Sequence, residues 1–290
     1  MGSPSRWSIL GDVVTVIVPA HNEGRVIGRL LGQLVSGASP DELDVIVVAN
    51  GCTDDTAQVA AGYGPMIRVI SIPVPSKREA LAAGNQAATS FPLLYVDADV
   101  ELGADDVRAL YRALHNPGIL AVAPQRILAL DGRPRLVRWY YDVWARLPEV
   151  RNGLFGRGVI GVSAAGHARI ADLPPLLADD LAASLAFTSD ERLIVEDARA
   201  VVHVPRTMGD LLRRRVRAET GVTQVEQTEG APASTARTRP ADLIAILAQD
   251  PRMLPRILVF LSIAVIARSR SRRAMNRRDY TWLRDESSRQ

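Results

Sequence analysis

The stretch Val13-Val14-Thr15-Val16-Ile17-Val18-Pro19-Ala20-His21-Asn22-Glu23-Gly24 passes from a β-branched block into a polar loop. Six strand-favouring residues in a row, without alternation of polar and apolar positions, describe a strand covered on both faces, as in a parallel sheet. Pro19 marks the end of that run. Beyond the loop, Val26, Ile27, Leu30, Leu31 and Leu34 recur at helical spacing as far as Gly37, with Asn22 the expected N-cap and Gly37 the expected stop. The result is a strand-loop-helix unit.

The unit repeats. Asp44 to Val48 gives a second strand, Ala49 to Asp54 a loop, and Asp55 to Ala61 a helix whose entry Thr53 or Asp54 is expected to cap. Ile67 to Ile72 is a third strand, Lys77 to Ala88 a third helix, and Leu93 to Val96 a fourth strand. Such alternation predicts an α/β fold with a mostly parallel sheet flanked by helices. Ligands of these sheets sit beyond the carboxyl ends of the strands, which sets the His21, Asn50 and Asp97 loops along one rim.

The fourth strand delivers Asp97-Ala98-Asp99, two carboxylates one residue apart where a buried strand meets solvent. Such a pair can hold Mg²⁺ or Mn²⁺ against a diphosphate and so offset the charge of a departing nucleotide. Short acidic triplets also occur in ordinary loops and helix caps, so the order of the surrounding motifs has to decide. Downstream, Asp105 to His115 has the pattern of an amphipathic helix and Ile119 to Pro124 that of a strand. Trp139, Tyr140, Tyr141 and Trp144 then gather aromatics before the glycine-rich Gly153 to Gly161, expected to form a loop and a strand.

The 290 residues allow one large α/β domain with an appendage. Cys52 is the only cysteine, which rules out an internal disulfide and, with no paired Cys/His spacing, a zinc site; a reducing compartment fits. Lys and Arg number 35 against 32 Asp and Glu, a net charge of +3, but the cations are clustered. One cluster is Arg213, Arg214, Arg215 and Arg217; the other is Arg268, Arg270, Arg272, Arg273, Arg277 and Arg278. Both seek phosphate, on nucleotides, lipids or nucleic acid. No nucleic-acid recognition motif accompanies them. Met1 to Gly11 lacks a continuous apolar segment of the secretory type, so a cytoplasmic location is expected.

Thr228 to Pro240 is rich in Ala, Thr, Ser and Pro and is expected to be a connection, followed by two apolar helices. Ile257 to Ala267 is eleven residues long with Ser262 its one polar member, far below the roughly twenty needed to span a bilayer. With the arginines after it, the segment suits a helix in an anionic membrane interface, at the inner face of the plasma membrane. It equally suits a helix packed on the domain with a solvated basic tail.

The order of motifs from about Val13 to Arg217 resembles the family 2 inverting glycosyltransferases of the GT-A, Rossmann-like fold. Pro19-Ala20-His21-Asn22-Glu23 is similar to that family's first-strand loop, and Asn50-Gly51-Cys52-Thr53-Asp54-Asp55-Thr56 to its second. The resemblance implies donor contacts from Pro19, Ala20, His21, Asn22, Glu23, Asn50, Gly51 and Asp54. Ser76 to Leu81 looks like the following Gly-Lys element and adds Lys77, while Asp97, Ala98 and Asp99 match the metal-binding acid pair. It implies further donor contacts from Arg213 and Arg217, a third metal ligand at His203, and a general base at Asp180. For the acceptor it implies Gly158 and Asp179, with Trp139 open to two readings, core residue or sugar platform.

Three positions depart from the family pattern. Ala49 and Asn50 stand where many relatives carry an acidic pair, leaving the nucleobase open among uracil, guanine and thymine, and Ala82 replaces a frequent Asn. Glu23, Asp54, Asp179 and Asp180 also admit a plainer role as acids at helix starts.

The expected organisation is a glycosyltransferase domain over 1–227, its nucleotide-sugar half about 1–125 and acceptor half about 126–227. A linker over 228–240 and a helical appendage with a basic tail over 241–290 complete it. The expected partners are a nucleotide-diphosphate sugar and a hydroxyl acceptor, either lipid-linked or a soluble natural product. The rivals are a nucleotidyltransferase, which the absence of a glycine-rich pyrophosphate loop after the first strand disfavours, a nucleic-acid-binding protein, and a noncatalytic membrane-surface protein.

Overall fold

The apolar runs of the N-terminal half become strands in the computed structural model, which describes residues 13–173, 179–227 and 238–276. They are β1 (Val14–Ala20), β2 (Leu43–Asn50), β3 (Ile67–Ile72) and β4 (Leu93–Val96), joined through α1 (Ile27–Gly37), α2 (Thr56–Ala61) and α3 (Lys77–Ala87). Next come β5 (Val100–Glu101), α4 (Ala104–Leu114), β6 (Ala121–Ala129), α5 (Arg135–Trp144), α6 (Pro148–Asn152), β7 (Val159–Val162), α7 (Ala164–Ala171) and α8 (Asp179–Leu185). The order closes with β8 (Arg192–His203), α9 (Met208–Gln227), α10 (Pro240–Gln249) and α11 (Leu254–Asn276).

Two compact units result. The first takes in the described residues of 1–127, 157–172 and 187–202, the second those of 128–156, 173–186 and 203–290.

The sheet has eight strands in the order β3-β2-β1-β4-β7-β6-β8-β5. β1 pairs in parallel with both β2 and β4, and β2 with β3. From β4 onward the sense changes: β7 runs antiparallel to β4 and β6, and β5 antiparallel to β8. The register Ala20↔Ala49 and Asn50↔Ile72 brings the ends of β1, β2 and β3 level, so their loops leave from one edge. Val16, Ile17, Val18, Ile46, Val47 and Val48 are all fully buried, as continuous β-branched runs require.

α3 lies on β1 and β2. Its Gly84 is buried, and a Cβ at that position would collide with Ile17 Cγ2. Ser76 caps the helix by accepting from the Glu79 N–H, 3.3 Å. The close seat and the cap together fix where Lys77 begins the helix.

The core of the second unit joins α5, α10 and α11 through Val137, Tyr140, Tyr141, Leu243, Ile246, Met253, Ile257 and Phe260, with Val204 and Leu211 beside them. Tyr140 stacks on Phe260 with ring centroids 5.1 Å apart, and burial pushes its phenol pKa up to about 12.

Several boundaries differ from the sequence reading. Asn22 is not the N-cap of α1: that position is Val26, without a side-chain bond, and Asn22 adopts φ 53° in the loop. The N-cap of α2 is Asp55, again without a side-chain bond, while Asp54 accepts from the Thr56 N–H at 3.1 Å. β2 extends past the expected Val48 because β3 supplies ladder partners to Ala49 and Asn50, and β6 is shifted to Ala121–Ala129 from the expected Ile119 to Pro124. Most of the connection expected over 228–240, together with Arg277 and Arg278, lies outside the described residues.

The α3–β1 contact yields a direct test. Gly84→Val should force Ile17 from its place and lower unfolding stability by about 1–3 kcal/mol, as read by chemical denaturation. Unchanged stability would mean that the helix does not seat so closely.

Candidate active site

Three loops follow the carboxyl ends of β1, β2 and β4, and the first two are tied to each other. Asn50, 2 % exposed, donates its side-chain amide to the Ala20 carbonyl at 2.8 Å. In return His21 Nδ1–H donates to the Asn50 carbonyl, which fixes that tautomer since a carbonyl can only accept. Asn22 Oδ1 accepts from the Thr53 N–H at 2.8 Å. The Glu23 N–H donates to Thr56 Oγ1 at 2.8 Å, and the Gly24 N–H to Asp54 Oδ2 at 3.1 Å. The Glu23 carbonyl accepts from Val26 and Ile27, both at 2.9 Å, so the buried acid immediately precedes the first turn of α1.

Asp54 is central to this lock. Burial pushes its carboxyl up, but the Thr56 hydroxyl and the Gly24 and Thr56 N–H groups outweigh that and hold its pKa below the ordinary value. Cys52 and Thr56, quoted within the second loop without a role, and Thr53, expected only as a cap, also tie the two loops together. Cys52 Sγ accepts from the Asn22 N–H at 3.4 Å and is half-buried. The hydroxyls two and five residues beyond Gly51 were the available signal.

At the β4 tip, Lys77 Nζ donates to Asp97 Oδ1 at 2.9 Å. The Asp97 N–H donates to the Gly158 carbonyl at 2.8 Å, and its own carbonyl accepts from the Val100 N–H at 3.3 Å. Asp97 and Asp99 are half-buried, with Ala98 buried between them. Gly158 has φ +69°, and a Cβ there would strike Val100 Cγ1 while standing 3.6 Å from Asp97 Oδ2. Glycine is thus what lets β7 begin beside the acid pair. Among the described residues no group of three or more His, Cys, Asp or Glu side chains converges as a metal site, so the two aspartates stand as a pair.

Arg157, also missed from sequence, sits one residue before Gly158. It is 4 % exposed and donates to the Pro124 carbonyl at 3.0 Å. Burial lowers its pKa to about 10, which leaves it cationic at neutrality. Its place between two glycines was the only sequence signal.

In the second unit, Asp180 opens α8. Its Oδ2 accepts from the Gly156 N–H at 2.9 Å and its Oδ1 from the Leu181 N–H at 2.8 Å. Asp179 begins the same helix. The arginine run is largely engaged within its own unit. Arg213 pairs with the buried Asp210, Arg214 donates to the His203 carbonyl at 3.3 Å, and Arg215 stands 5.9 Å from the Tyr140 ring centre. Arg217 lies one turn after Arg213 on α9. His203 ends β8, half-buried. Of the aromatics, Tyr140 and Tyr141 are core. Trp139 is half-buried, with the Arg135 guanidinium 4.5 Å above its ring.

The sequence profile of the family described as "Glycosyl transferase family 2" matches residues 15–168. The 4,4'-diaponeurosporenoate glycosyltransferase of Staphylococcus aureus (strain USA300) is 35 % identical over 122 residues, 39 % of this chain and 32 % of that protein. The matching region therefore spans about a third of the curated relative's length. Among solved structures, a mannosyltransferase from Pyrobaculum calidifontis in complex with GDP-Man and Mn²⁺ superposes with a TM-score of 0.65 at 19 % identity, covering 89 % of this chain and 86 % of that one. Glucosyl-3-phosphoglycerate synthase from Mycobacterium tuberculosis, with Mn²⁺, UDP and glucosyl-3-phosphoglycerate, gives 0.56 at 22 % identity, covering 77 % and 82 %. At such identities the likeness is one of fold, the GT-A architecture.

The loop lock has a pH signature. A carboxyl with a lowered folded-state pKa stabilises the fold above its unfolded value, and that contribution is lost as pH falls through the folded value. Asp54→Asn should lower the thermal midpoint at pH 7, and its deficit against wild type should shrink as the pH falls below the ordinary carboxylate range. A deficit that does not change with pH would remove the ionised Asp54 from the lock.

Proposed function

The chain belongs to glycosyl transferase family 2, and from that premise we propose that it transfers a glycosyl group from a nucleotide-diphosphate sugar to an acceptor hydroxyl with inversion, using Mg²⁺ or Mn²⁺. The catalytic region on this reading is 1–227, with α10 and α11 appended after the connection 228–240. The observation that carries the proposal is the β4 tip: two half-buried carboxylates one residue apart, one held by Lys77 and by the backbone of Gly158.

That donor set fits a hard divalent cation. One or two carboxylates with substrate phosphate oxygens completing the shell is the usual way such ions are held at nucleotide sites. When bound, the metal would offset the charge that develops on the leaving diphosphate. Asp97 and Asp99 are the residues that would hold it, and Lys77 brings an ammonium to the same carboxylate. The locked β1 and β2 loops, with His21, Asn22, Glu23, Asn50, Gly51 and Asp54, form the surface for the nucleoside. Arg213 and Arg217 are proposed as further cations for the diphosphate and His203 as an additional metal ligand.

Asp180 is proposed as the base. Two backbone N–H groups orient its carboxylate. It takes the hydroxyl proton as the acceptor oxygen bonds to the anomeric carbon and the nucleotide diphosphate leaves from the opposite side. Gly158, Asp179 and Trp139 are proposed to border the acceptor. An exposed apolar stripe on α11 favours a lipid-linked acceptor at the inner face of the plasma membrane over a soluble natural product.

A panel of UDP-, GDP- and dTDP-sugars with Mn²⁺, read by released nucleoside diphosphate, tests the donor and the metal together. Release should occur with at least one donor, stop with EDTA, and fall sharply in Asp99→Asn. Release that EDTA leaves unchanged would overturn the metal assignment.

Asp180→Asn should retain donor binding while transfer falls by about a hundred- to ten-thousandfold. Normal transfer by that variant, measured beside its donor affinity, would remove Asp180 as the base.

A further inference from the structure

The residues of α11 divide sharply into two faces. Ile257, Phe260, Ile263, Ala267 and Ser271 are buried, and α11 packs on α5 and α9. The Thr220 hydroxyl of α9 meets that of Ser271 at 2.8 Å. On the other face, Leu254, Leu258, Leu261, Val265, Arg268 and Arg272 follow one another at spacings of four, three, four, three and four residues, one continuous stripe of a helix. Its apolar members are open to solvent, Leu258 at 56 % and Val265 at 67 % exposure. Ile244 on α10 is 66 % exposed as well. Isolated exposed leucines are ordinary, but a run of four at helical spacing marks an interaction surface.

We propose that this stripe is a lipid-docking surface that seats α11 in the interface of an anionic bilayer. The charge pattern selects the occupant. Pro251 to Asn276 contains no Asp or Glu but six arginines, and the stripe itself passes from leucine and valine into Arg268 and Arg272. Arg256 and Arg268 are balanced within the unit by Asp142 and Glu219, at 3.1 and 3.0 Å. Arg270, Arg272 and Arg273 lie exposed at the basic end.

A helix lying flat in a bilayer surface buries its apolar face a few ångströms deep and sets its cations among anionic headgroups. The α11 stripe presents both along one line. No helix among the described residues is long and apolar enough to cross the membrane, so the contact is lateral docking by α11 rather than a span. A second copy of the chain suits the stripe less well. Parallel pairing would oppose arginine to arginine, and antiparallel pairing would bury arginine against leucine.

The inference deepens the lipid-linked reading of the acceptor and rests on it for its biological sense, but its test needs no sugar transfer. The full chain is sedimented with vesicles of phosphatidylglycerol mixed into phosphatidylcholine, and with phosphatidylcholine alone, without donor or metal. Wild type should bind the anionic vesicles. Leu258→Glu with Val265→Glu should weaken partitioning by about tenfold or more, and Arg272→Gln with Arg273→Gln by roughly ten- to thirtyfold. Both double variants should keep the wild-type circular dichroism and donor-sugar hydrolysis, since the altered side chains are exposed.

Absence of wild-type binding overturns the proposal, as does equal binding to neutral vesicles with no effect of the arginine changes. So does a sedimentation-velocity dimer that Leu258→Glu with Val265→Glu converts to monomer, which would give the stripe to a second copy. Vesicle binding combined with failure of the donor panel would leave the docking surface standing and refute the transferase reading alone.

Discussion

The rest of the structure depends on how the parallel strands end. β1 and β2 finish in register, and beyond Ala20 and Ala49 the peptide groups near that edge need partners from outside the β1–β2 ladder. A buried backbone donor or acceptor left unpaired costs as much as a lost hydrogen bond. The two loops meet the need from each other, through the Asn50 side-chain amide on the Ala20 carbonyl, the Asn22 side-chain Oδ1 on the Thr53 N–H, and the Thr56 hydroxyl and Asp54 carboxylate on the Glu23 and Gly24 N–H groups. The polar residues that make the motif look like a binding loop therefore first build the loop. Whatever they offer a ligand, they offer from a shape that they hold themselves.

Charge at the β4 tip follows the same economy. Asp97 and Asp99 are like charges close in sequence, and one of them is relieved by an ammonium at 2.9 Å. Lys77 reaches it because α3 is capped by Ser76 and seated on β1 where Gly84 has no Cβ to hold it off Ile17. Packing in the interior of the first unit thus fixes an electrostatic contact at its rim. Gly158 brings β7 in beside Asp97, and Arg157, the residue before it, is buried yet still protonated with a guanidinium N–H on the Pro124 carbonyl. On the proposed reading, a cation joining the pair would enter a site where negative charge is already partly balanced by Lys77, which would leave room in its shell for substrate phosphate oxygens.

The strands, their order and the rim they share were legible because continuous β-branched runs admit few other readings. The Asp97 to Asp99 tip and the Lys77 helix start were legible for the same reason, since each sits at an abrupt change of pattern. Helix entries were less so. Asn22 has the chemistry of a cap, but Thr53 competes for the same oxygen, and a bond across 31 residues leaves no trace in local spacing. The arginines of α9 show a second limit. Periodicity tells that a residue lies on a face, whereas the partners of Arg214 and Arg215, a strand-end carbonyl and an aromatic ring, come from chain distant in sequence. The aromatics of α5 divide likewise, with Tyr140 in the core and Trp139 outside it.

Asp180 shows why two readings of one residue need not compete. As the acid that opens α8 it accepts from the Leu181 N–H, and as the partner of the Gly156 N–H it joins that helix to the glycine-rich loop. Neither bond exhausts a carboxylate, which offers about four acceptor directions. A base must be aimed before it can act, and on a flexible side chain that aim would have to be established at each encounter with substrate. Here two backbone donors, fixed by the helix start and by the turn at Gly156, set the carboxylate plane in advance. The residue lies beyond the stretch that matches the family, residues 15–168, so its claim to the role rests on this local geometry together with its position in the motif order. The helix-opening role thus supplies the rigidity that the proposed role as base would require.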